Sequence, residues 1–583
     1  MSTYSGNVKE WEWYEAGKNY NTRLEPSYYD LVDINWDFFY GNQWANAGLS
    51  EDLPQPVFNN INRFVTFFVA FIMSSKSEVR FESPIIDDDD NSDDVLNQSW
   101  KEFEERVKLV WKTKNALYDG AVTGDYVAHL RLDPSAKPYN GVYGEVVGEI
   151  DLDLVSPTNL YVANPNSEES LQKQDYVQIA GRDLVKNLQK EAKKQEEIQA
   201  DNDTEEQAGR YGKIEMDSSE ETDKATYVIT YTKKKVSEEY DEEYEEDGEK
   251  KTRKAKKERK TVHATKCTAN GYIYKDIDLG IELYPVAHGN WELQRNTYHG
   301  MSFVRGAIPT QIFINRGFAM AMFNVMTAAF PKMLYHKDKI SGISTMIGGQ
   351  IGVELGPNES LADVARYLEP GNMSGQVVQM IELAQTYMQD AVGASDSLLG
   401  NVNPEQASGA SISVASKQAG IPLENPEANM YNWLEDIGRI YLDMASNLYG
   451  ERPVIMPTDE GAEVVEFDFE SLKGKYKKVK VNVGPSTYWS ALAQKDTMDN
   501  LLMNGYIEFV DYLEGMTDEF VPNRQEMIDK IKEKQAELEA QQAKGKSVEQ
   551  EFLAQLTPDE QQAFLALPEA EQQAYFDQYQ GGV

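Results

Sequence analysis

One cysteine, Cys267, stands in 583 residues. That excludes an internal disulfide and any cage of several thiolates around a metal. Cys267 reads as a small buried hydrophobe in a reducing, cytosol-like setting. Histidine is nearly as scarce: His129, His263, His288, His299 and His336, with no pair at the HExxH spacing of a zinc site. A Walker A loop, a GxSxG elbow and a Cys–His couple are all missing. His288 and His299, eleven positions apart across a strand-to-helix loop, read as satisfied structural histidines. No catalytic residue, metal ligand or cofactor site is therefore expected. Long apolar runs are also lacking: no stretch reaches the roughly 18 clean apolar residues of a membrane span. The opening MSTYSGNVKEWEWYEAG has no apolar signal-peptide core.

Positive charge is the other shortage. Lys plus Arg number 57 against 97 Asp plus Glu, a formal net charge of −40. A chain that coats nucleic acid or anionic lipid needs a basic face, so both roles are disfavoured. A protein that surrounds DNA without gripping it is not. Against these absences stand 41% hydrophobic residues and 33 tyrosines, too much apolar mass for a disordered acidic chain. The length allows about three to five domain-sized units.

Along the chain, residues 8–45 read as aromatic-rich helix broken at Pro26, and 61–73 (INRFVTFFVAFIM) as a core helix. Asp87, Asp88, Asp89 and Asp90, with Asp93 and Asp94, have the composition of a divalent-cation site but not the EF-hand spacing. They fit better as acids at the N-terminus of an amphipathic helix over 95–118. Residues 124–133 and 144–155 alternate as paired strands, 156–165 reads turn–strand–turn, 182–198 as a charged helix and 199–224 as a mobile loop. A charged hairpin spans 232–262. Its first arm, 238–247, is almost all acid and its second, 250–260, almost all base. Asp247-Gly248 between them is a tight-turn signal that would set opposite charges across the strands. The basic arm alone resembles a nucleic-acid patch, but its neutralising partner is encoded beside it, which favours a solvated hairpin.

From 306 to 330 the one charge is Arg316. Pro309 suits a first helical turn there, and Pro331 a stop. A helix apolar on nearly every side is buried all round or membrane-spanning. Gln311, Asn315, Arg316 and Asn324 argue for burial, with neighbouring copies of the chain as one source of cover. A β-like segment at 332–340 is locally basic through Lys332, Lys337 and Lys339, and 350–355 reads as a second strand. A nearly uncharged helix follows at 374–394, then a small-residue loop at 395–410. The next helix starts at 411, is interrupted by Gly420, Pro422 and Pro426, and resumes over 428–449. Near the end, 525–545 reads as a charged helix, with short helical units at 557–564 and 567–576.

The order PVFNNI, LVSPTNLYVANP, YPV…HGMSFVRGAIPTQIFINRGF and SGASISVASKQAG resembles the core of tailed-bacteriophage portal proteins, the head-to-tail connectors, of the short-tailed phage type. The resemblance covers roughly residues 20 to 510. It implies an α+β fold assembled as a ring. Its parts would be an N-terminal part and wing at 1–300, stem helix at 301–330, clip at 331–373, second stem helix at 374–394, tunnel loop at 395–410, kinked helix and wing strands at 411–490, and a helical crown at 491–583. It further implies a homo-dodecamer at one capsid vertex, through which double-stranded DNA is packaged, retained and ejected. The partners implied are the terminase motor, the head-tail adaptor and tail proteins, and the major capsid and scaffolding proteins, with assembly in the host cytoplasm and no membrane. DNA-facing residues would be Asn401, Asn403, Glu405, Gln406 and Ser408, and clip docking residues Lys332, Lys337 and Lys339. The competing readings are an acidic scaffold or adaptor that makes no ring and, more remotely, a metal-dependent hydrolase built on the aspartates at 87–94.

Overall fold

The computed structural model describes residues 8–44, 54–74, 77–83, 92–136, 148–192, 198–200, 223–246, 249–329, 333–340, 353–357, 360–367, 375–392, 421–458, 461–473, 478–483, 498–507, 509–514, 527–528, 530–532, 534 and 568. The chain divides into two compact units, one of residues 1–403 and 414–484, the other of 404–413 and 485–583.

The first unit is α+β. It opens with helices α1 (Lys9–Arg23) and α2 (Tyr28–Tyr40), separated at Pro26 as expected. Gly41, with φ +89°, ends α2 in a left-handed turn that glycine adopts without strain. Helix α3 (Asn60–Ile72) is capped by the Asn59 side chain, which accepts from the Asn62 N–H at 3.1 Å. Ile61, Phe64, Val65, Phe68, Val69 and Ile72 fall on one face at helical spacing and are all buried.

Strand β1 (Ser77–Glu82) leads to α4 (Ser92–Val107), whose first turn holds Asp93 and Asp94. Asp87, Asp88, Asp89 and Asp90 lie outside the described residues. The single helix expected over 95–118 is in fact two. Lys108 adopts φ +54°, and α5 (Leu109–Thr123) starts after it. The left-handed break lets both helices reach one core, with Trp100 and Phe103 on α4 and Ala116 and Leu117 on α5 all buried.

Strands β2 (Asp125–Asp133) and β3 (Glu149–Val155) pair antiparallel, as their alternation predicts. Then come β4 (Leu160–Val162), β5 (Tyr176–Leu184) and α6 (Val185–Glu191). The charged helix is thus shorter than the expected 182–198, because residues 182–184 continue β5 against 224–226. Strands β6 (Lys224–Glu246) and β7 (Glu249–Cys267) form a long hairpin, and β8 (Tyr272–Asp278) and β9 (Val286–Asn290) follow. Two sheets result, of order β3-β2-β9 and β4-β5-β6-β7-β8.

Helix α7 (Phe303–Ala329) precedes β10 (Met333–Tyr335), the short α8 (Leu361–Val364), β11 (Ala365–Tyr367) and α9 (Gly375–Val392). The expected partner strand at 350–355 is not the one used. Strand β10 pairs with β11, and Val353 makes only a single bridge to Ile340. Helix α10 (Glu424–Leu448) starts before Pro426 rather than after it. Pro426 stands in the first turn, where no intrahelical N–H is needed. Strands β12 (Glu451–Thr458), β13 (Gly461–Asp468) and β14 (Lys478–Val483) complete the unit, with β14 returning to pair with β1.

Helix α10 holds the core together. Met430, Trp433, Leu434, Ile437, Tyr441 and Met444 form its buried face. A Cβ on Gly438 would stand 2.8 Å from Val479 and 3.1 Å from Val79, so the glycine sets how closely α10 lies on the β1–β14 pair. Tyr441 closes an aromatic cluster with Trp100 and Phe103, and its hydroxyl lies 2.8 Å from Ser99 Oγ. Cys267 is free and buried.

In the second unit, residues 498–503 and Phe509–Glu514 are helical, and the Tyr512 hydroxyl donates to Asp499 at 2.6 Å. The described part of 525–545 is helical at 527–528, 530–532 and 534. The units expected at 557–564 and 567–576 fall almost wholly outside the described residues.

Candidate functional site

Among the described residues, the helix pair α7–α9 leaves several large apolar side chains exposed. It is built on a buried polar node. Asp125, at the start of β2, is 1% exposed. Its Oδ1 accepts from the Gly300 N–H at 2.6 Å and from Asn290 Nδ2 at 2.7 Å. His288 Nε2 lies 3.4 Å from the same oxygen. Its Oδ2 accepts from the Tyr28 hydroxyl at 2.9 Å and from His299 Nδ1 at 2.7 Å. His299 Nε2 lies 3.0 Å from Asn21 Oδ1, and the His299 ring stacks on Tyr28 with centroids 3.8 Å apart.

Burial alone would raise the Asp125 carboxyl, but the two imidazoles, His299 foremost, and their hydrogen bonds hold it well below the usual carboxylate range. Burial, and after it the Asp125 charge, raises the Tyr28 phenol well above its ordinary value. Gly124 (φ +102°) and Gly300 let two backbones touch here: a Cβ on Gly300 would stand 2.2 Å from the Gly124 carbonyl oxygen. The node thereby joins α1, α2, β2, β9 and the loop before α7. His299 is a satisfied structural histidine, as its sequence context suggested, whereas the buried His288 is held loosely, its Nε2 3.4 Å from Asp125. What the sequence did not reveal is that one aspartate lies against both.

Two residues beyond Gly300, Ser302 caps α7, its Oγ accepting from the Arg305 N–H at 3.1 Å. Asn35 Nδ2 donates to the same Oγ at 2.9 Å and to the Val122 carbonyl at 2.8 Å. The helix therefore starts earlier than the 306 expected from Pro309, which lies inside it. The available signal was the serine three residues before Arg305. Val304, Ala307, Gln311 and Ile314 are buried along one face. Gln311 Nε2 donates to the Phe58 carbonyl at 2.6 Å and to Asn315 Oδ1 at 3.0 Å, and Asn315 Nδ2 donates to Gln43. The side-chain N–H groups of both amides thus find partners inside the protein, while Gln311 Oε1 is buried without one.

Beyond Asn315 the surroundings change. Gly317 meets Ile381 of α9, where a Cβ would stand only 2.8 Å from Ile381 Cγ1. Apolar side chains face outward on both helices: on α7 mainly past that crossing, although Phe313 before it is exposed too, and on α9 on both sides of Ile381. Met320 is 65% exposed, Val325 63% and Tyr387 61%, against 0% for Ile314. Met322, Phe323, Met326, Val378, Met380 and Leu383 are exposed as well. A contiguous apolar patch of this kind marks an interaction surface.

At the far end of the pair, Lys337 and Lys339 share one turn after β10. The Lys339 N–H donates to the His336 carbonyl at 3.1 Å, and the Glu354 N–H to the Lys339 carbonyl at 3.0 Å. Lys332, Asn401, Asn403, Glu405, Gln406 and Ser408 lie outside the described residues. Of the remaining histidines, His129 is buried with Nε2 2.7 Å from the Tyr231 hydroxyl, and burial pushes it down to about 4. His263 Nδ1 lies 2.9 Å from Asp276. Among the described residues no three His, Cys, Asp or Glu side chains gather as a metal site, and no helix is long and apolar enough to cross a membrane.

Residues 20–578 match the family model described as phage P22-like portal protein. No curated protein matches the chain.

Proposed function

The chain belongs to the phage P22-like portal protein family, and from that premise we propose that it forms a ring of twelve copies enclosing a double-stranded DNA channel at one capsid vertex. The family is structural rather than catalytic, and its members are virion capsid components. The observation that carries the ring reading is the exposed apolar stretch of α7 and α9, which one copy leaves open and an identical neighbour can cover. In this reading α7 and α9 are the stem. Residues 331–373 form the clip, where Lys332, Lys337 and Lys339 dock the terminase motor and later the adaptor and tail. Residues 395–410 form the tunnel loop, where Asn401, Asn403, Glu405, Gln406 and Ser408 brake the duplex. Capsid and scaffolding proteins surround the ring, which assembles in the host cytoplasm. The net charge of −40 suits a conduit: repulsion between the protein field and phosphate keeps DNA from adhering, and grip falls to a few loop and clip residues.

The test is the double substitution Met320→Asp, Val325→Asp. Because both side chains are exposed, the melting of the monomeric chain should stay within about 0.5 kcal/mol of wild type. Rings with a central hole, seen for wild type by electron microscopy, should disappear. Wild type that is uniformly monomeric across salt and concentration would replace this reading with the acidic scaffold. The tunnel loop is tested in an infection complementation assay: removing 401–408 should spare rings but reduce retained DNA, and unchanged phage yield would remove the loop from the mechanism.

A further inference from the structure

The β6–β7 hairpin is longer than its sheet. Strand β5 pairs with β6 only as far as Thr232, and β8 with β7 only from His263 onward. Beyond those points the two arms, 233–246 and 249–262, pair with each other and, among the described residues, with no third strand. At roughly 3.3 Å per residue such arms reach about 45 Å. The base is held firmly: Arg259 donates to Glu282 at 2.7 Å and to Asn447 of α10 at 2.8 Å.

The register sets Glu238 opposite Lys257, Glu239 opposite Lys256, Asp241 opposite Lys254, Glu242 opposite Arg253 and Glu245 opposite Lys250. Cross-strand pairing accounts for opposite charges in the two arms. It does not account for their segregation. Interleaving acids and bases along each strand would give as many cross-strand pairs, and it would avoid the repulsion between like charges two residues apart on one face. The consequence peculiar to segregation is a ribbon with one acidic edge, over 238–246 of β6, and one basic edge, over 250–257 of β7. Beyond Val262, whose N–H and carbonyl bond the 279–281 segment, both edges are open ladders among the described residues, and a two-stranded ribbon alone is marginal in water.

We propose that the acidic β6 edge of this ribbon docks against the basic β7 edge of the same ribbon in a neighbouring copy, so that the ribbons form an electrostatic belt around the assembly. The proposal rests on the ring reading above. Two-fold pairing would set acid against acid or base against base, whereas the complementary contact is head-to-tail, the kind that closes a ring. Copies related by rotation about one axis also present β6 and β7 antiparallel to each other, which continues the sheet in the sense the hairpin already has.

The experiment exchanges the two arms in the full-length chain, placing Lys and Arg at the acidic positions of 238–246 and Glu and Asp at the basic positions of 250–257. Cross-strand pairs within each ribbon survive, so exchanged chains should form rings alone. Co-expressed with wild type, they should enter mixed rings roughly ten-fold or more below the statistical frequency, because every mixed contact sets like charges together. Free mixing would overturn the proposal, as would exchanged chains that fold but do not assemble beside intact wild-type rings. A measurement needing no variant is carbodiimide cross-linking of rings assembled from natural and heavy-nitrogen chains. Isotopically mixed links between the acidic and basic arms are expected, and links confined to single chains would overturn the belt. Duplex binding lost on the exchange, without interchain links, would overturn it in favour of a nucleic-acid contact. Wild type that forms no ring would sink the ring reading itself.

Discussion

Helix α7 has two halves with opposite fates. From Phe303 to Asn315 one face is buried, with Phe313 exposed on the other, and the side-chain N–H groups of Gln311 and Asn315 are partnered by the loop before α3, by the helix itself and by Gln43 in the turn after α2. From Arg316 onward its methionines, Phe323 and Val325 are open. Both halves are almost uncharged, and composition alone does not separate them. The difference lies in what the rest of the chain brings: the first half meets side chains and carbonyls delivered from more than 250 residues away, while in the second Phe318 has such a partner, packed on Phe58 with centroids 4.0 Å apart, and Gly317 meets Ile381 of α9. The cover that the chain itself supplies thins near Gly317.

The comparison can be broken most severely at the sealed end. Asp125→Ala would leave His299, Tyr28, Asn290 and the Gly300 N–H without their shared acceptor in a fully buried site. We expect a loss on the order of 3–5 kcal/mol, read as a large drop in denaturant midpoint or loss of soluble chain. A near-wild-type midpoint would mean that the node is not what holds the start of α7. At the boundary, Gly317→Val would force α7 away from Ile381, costing about 1–3 kcal/mol. Chemical denaturation followed at the core tryptophans should change less than ring yield does, since the damage falls on the unsealed half. Equal losses in both would erase the distinction drawn here.

The smallest effect concerns pH. His129 faces Tyr231, with Asp153 opposite it on β3 and Arg131 nearby. Its folded pKa, about 4, is below the ordinary value near 6.5, so its stabilising contribution is complete above pH 6.5 and fades as pH falls from 6.5 through 4. Asp125, held below the usual range, contributes above its unfolded value and loses that contribution only at lower pH still. Melting should therefore soften by roughly 2–4 °C between pH 6.5 and 4.5, and His129→Gln should flatten that slope. A slope unchanged by the substitution would assign the acid sensitivity elsewhere.

Much of the fold was legible because its signals are local. The break at Pro26, the apolar run of α3, the alternation of β2 and β3, the turn signal Asp247-Gly248 and the uncharged α7 and α9 each declare themselves within a short window. Other features are not local. Lys108 interrupts α4 and α5 without a glycine or proline to mark it. Strand β9 reaches β2 across more than 150 residues, and β11 rather than 350–355 completes the pair with β10. The node around Asp125 is the extreme case. Asn21, Tyr28, Asp125, His288 and His299 come from separate segments, and no spacing rule links them. Asp125 read as an ordinary strand residue until its neighbours were in place.

The sealed half of α7 has a mechanical consequence. A helix gripped over residues 302–318, with Phe318 packed on Phe58 and exposed apolar side chains beyond it, is a cantilever, and a load applied near Lys337 acts on the grip as a bending moment. The groups that would resist that moment are few: Ser302 on Asn35, Gln311 on the Phe58 carbonyl, Asn315 on Gln43 and Phe318 on Phe58. A push at the tip is therefore felt first at the loop before α3, well away from where it is applied.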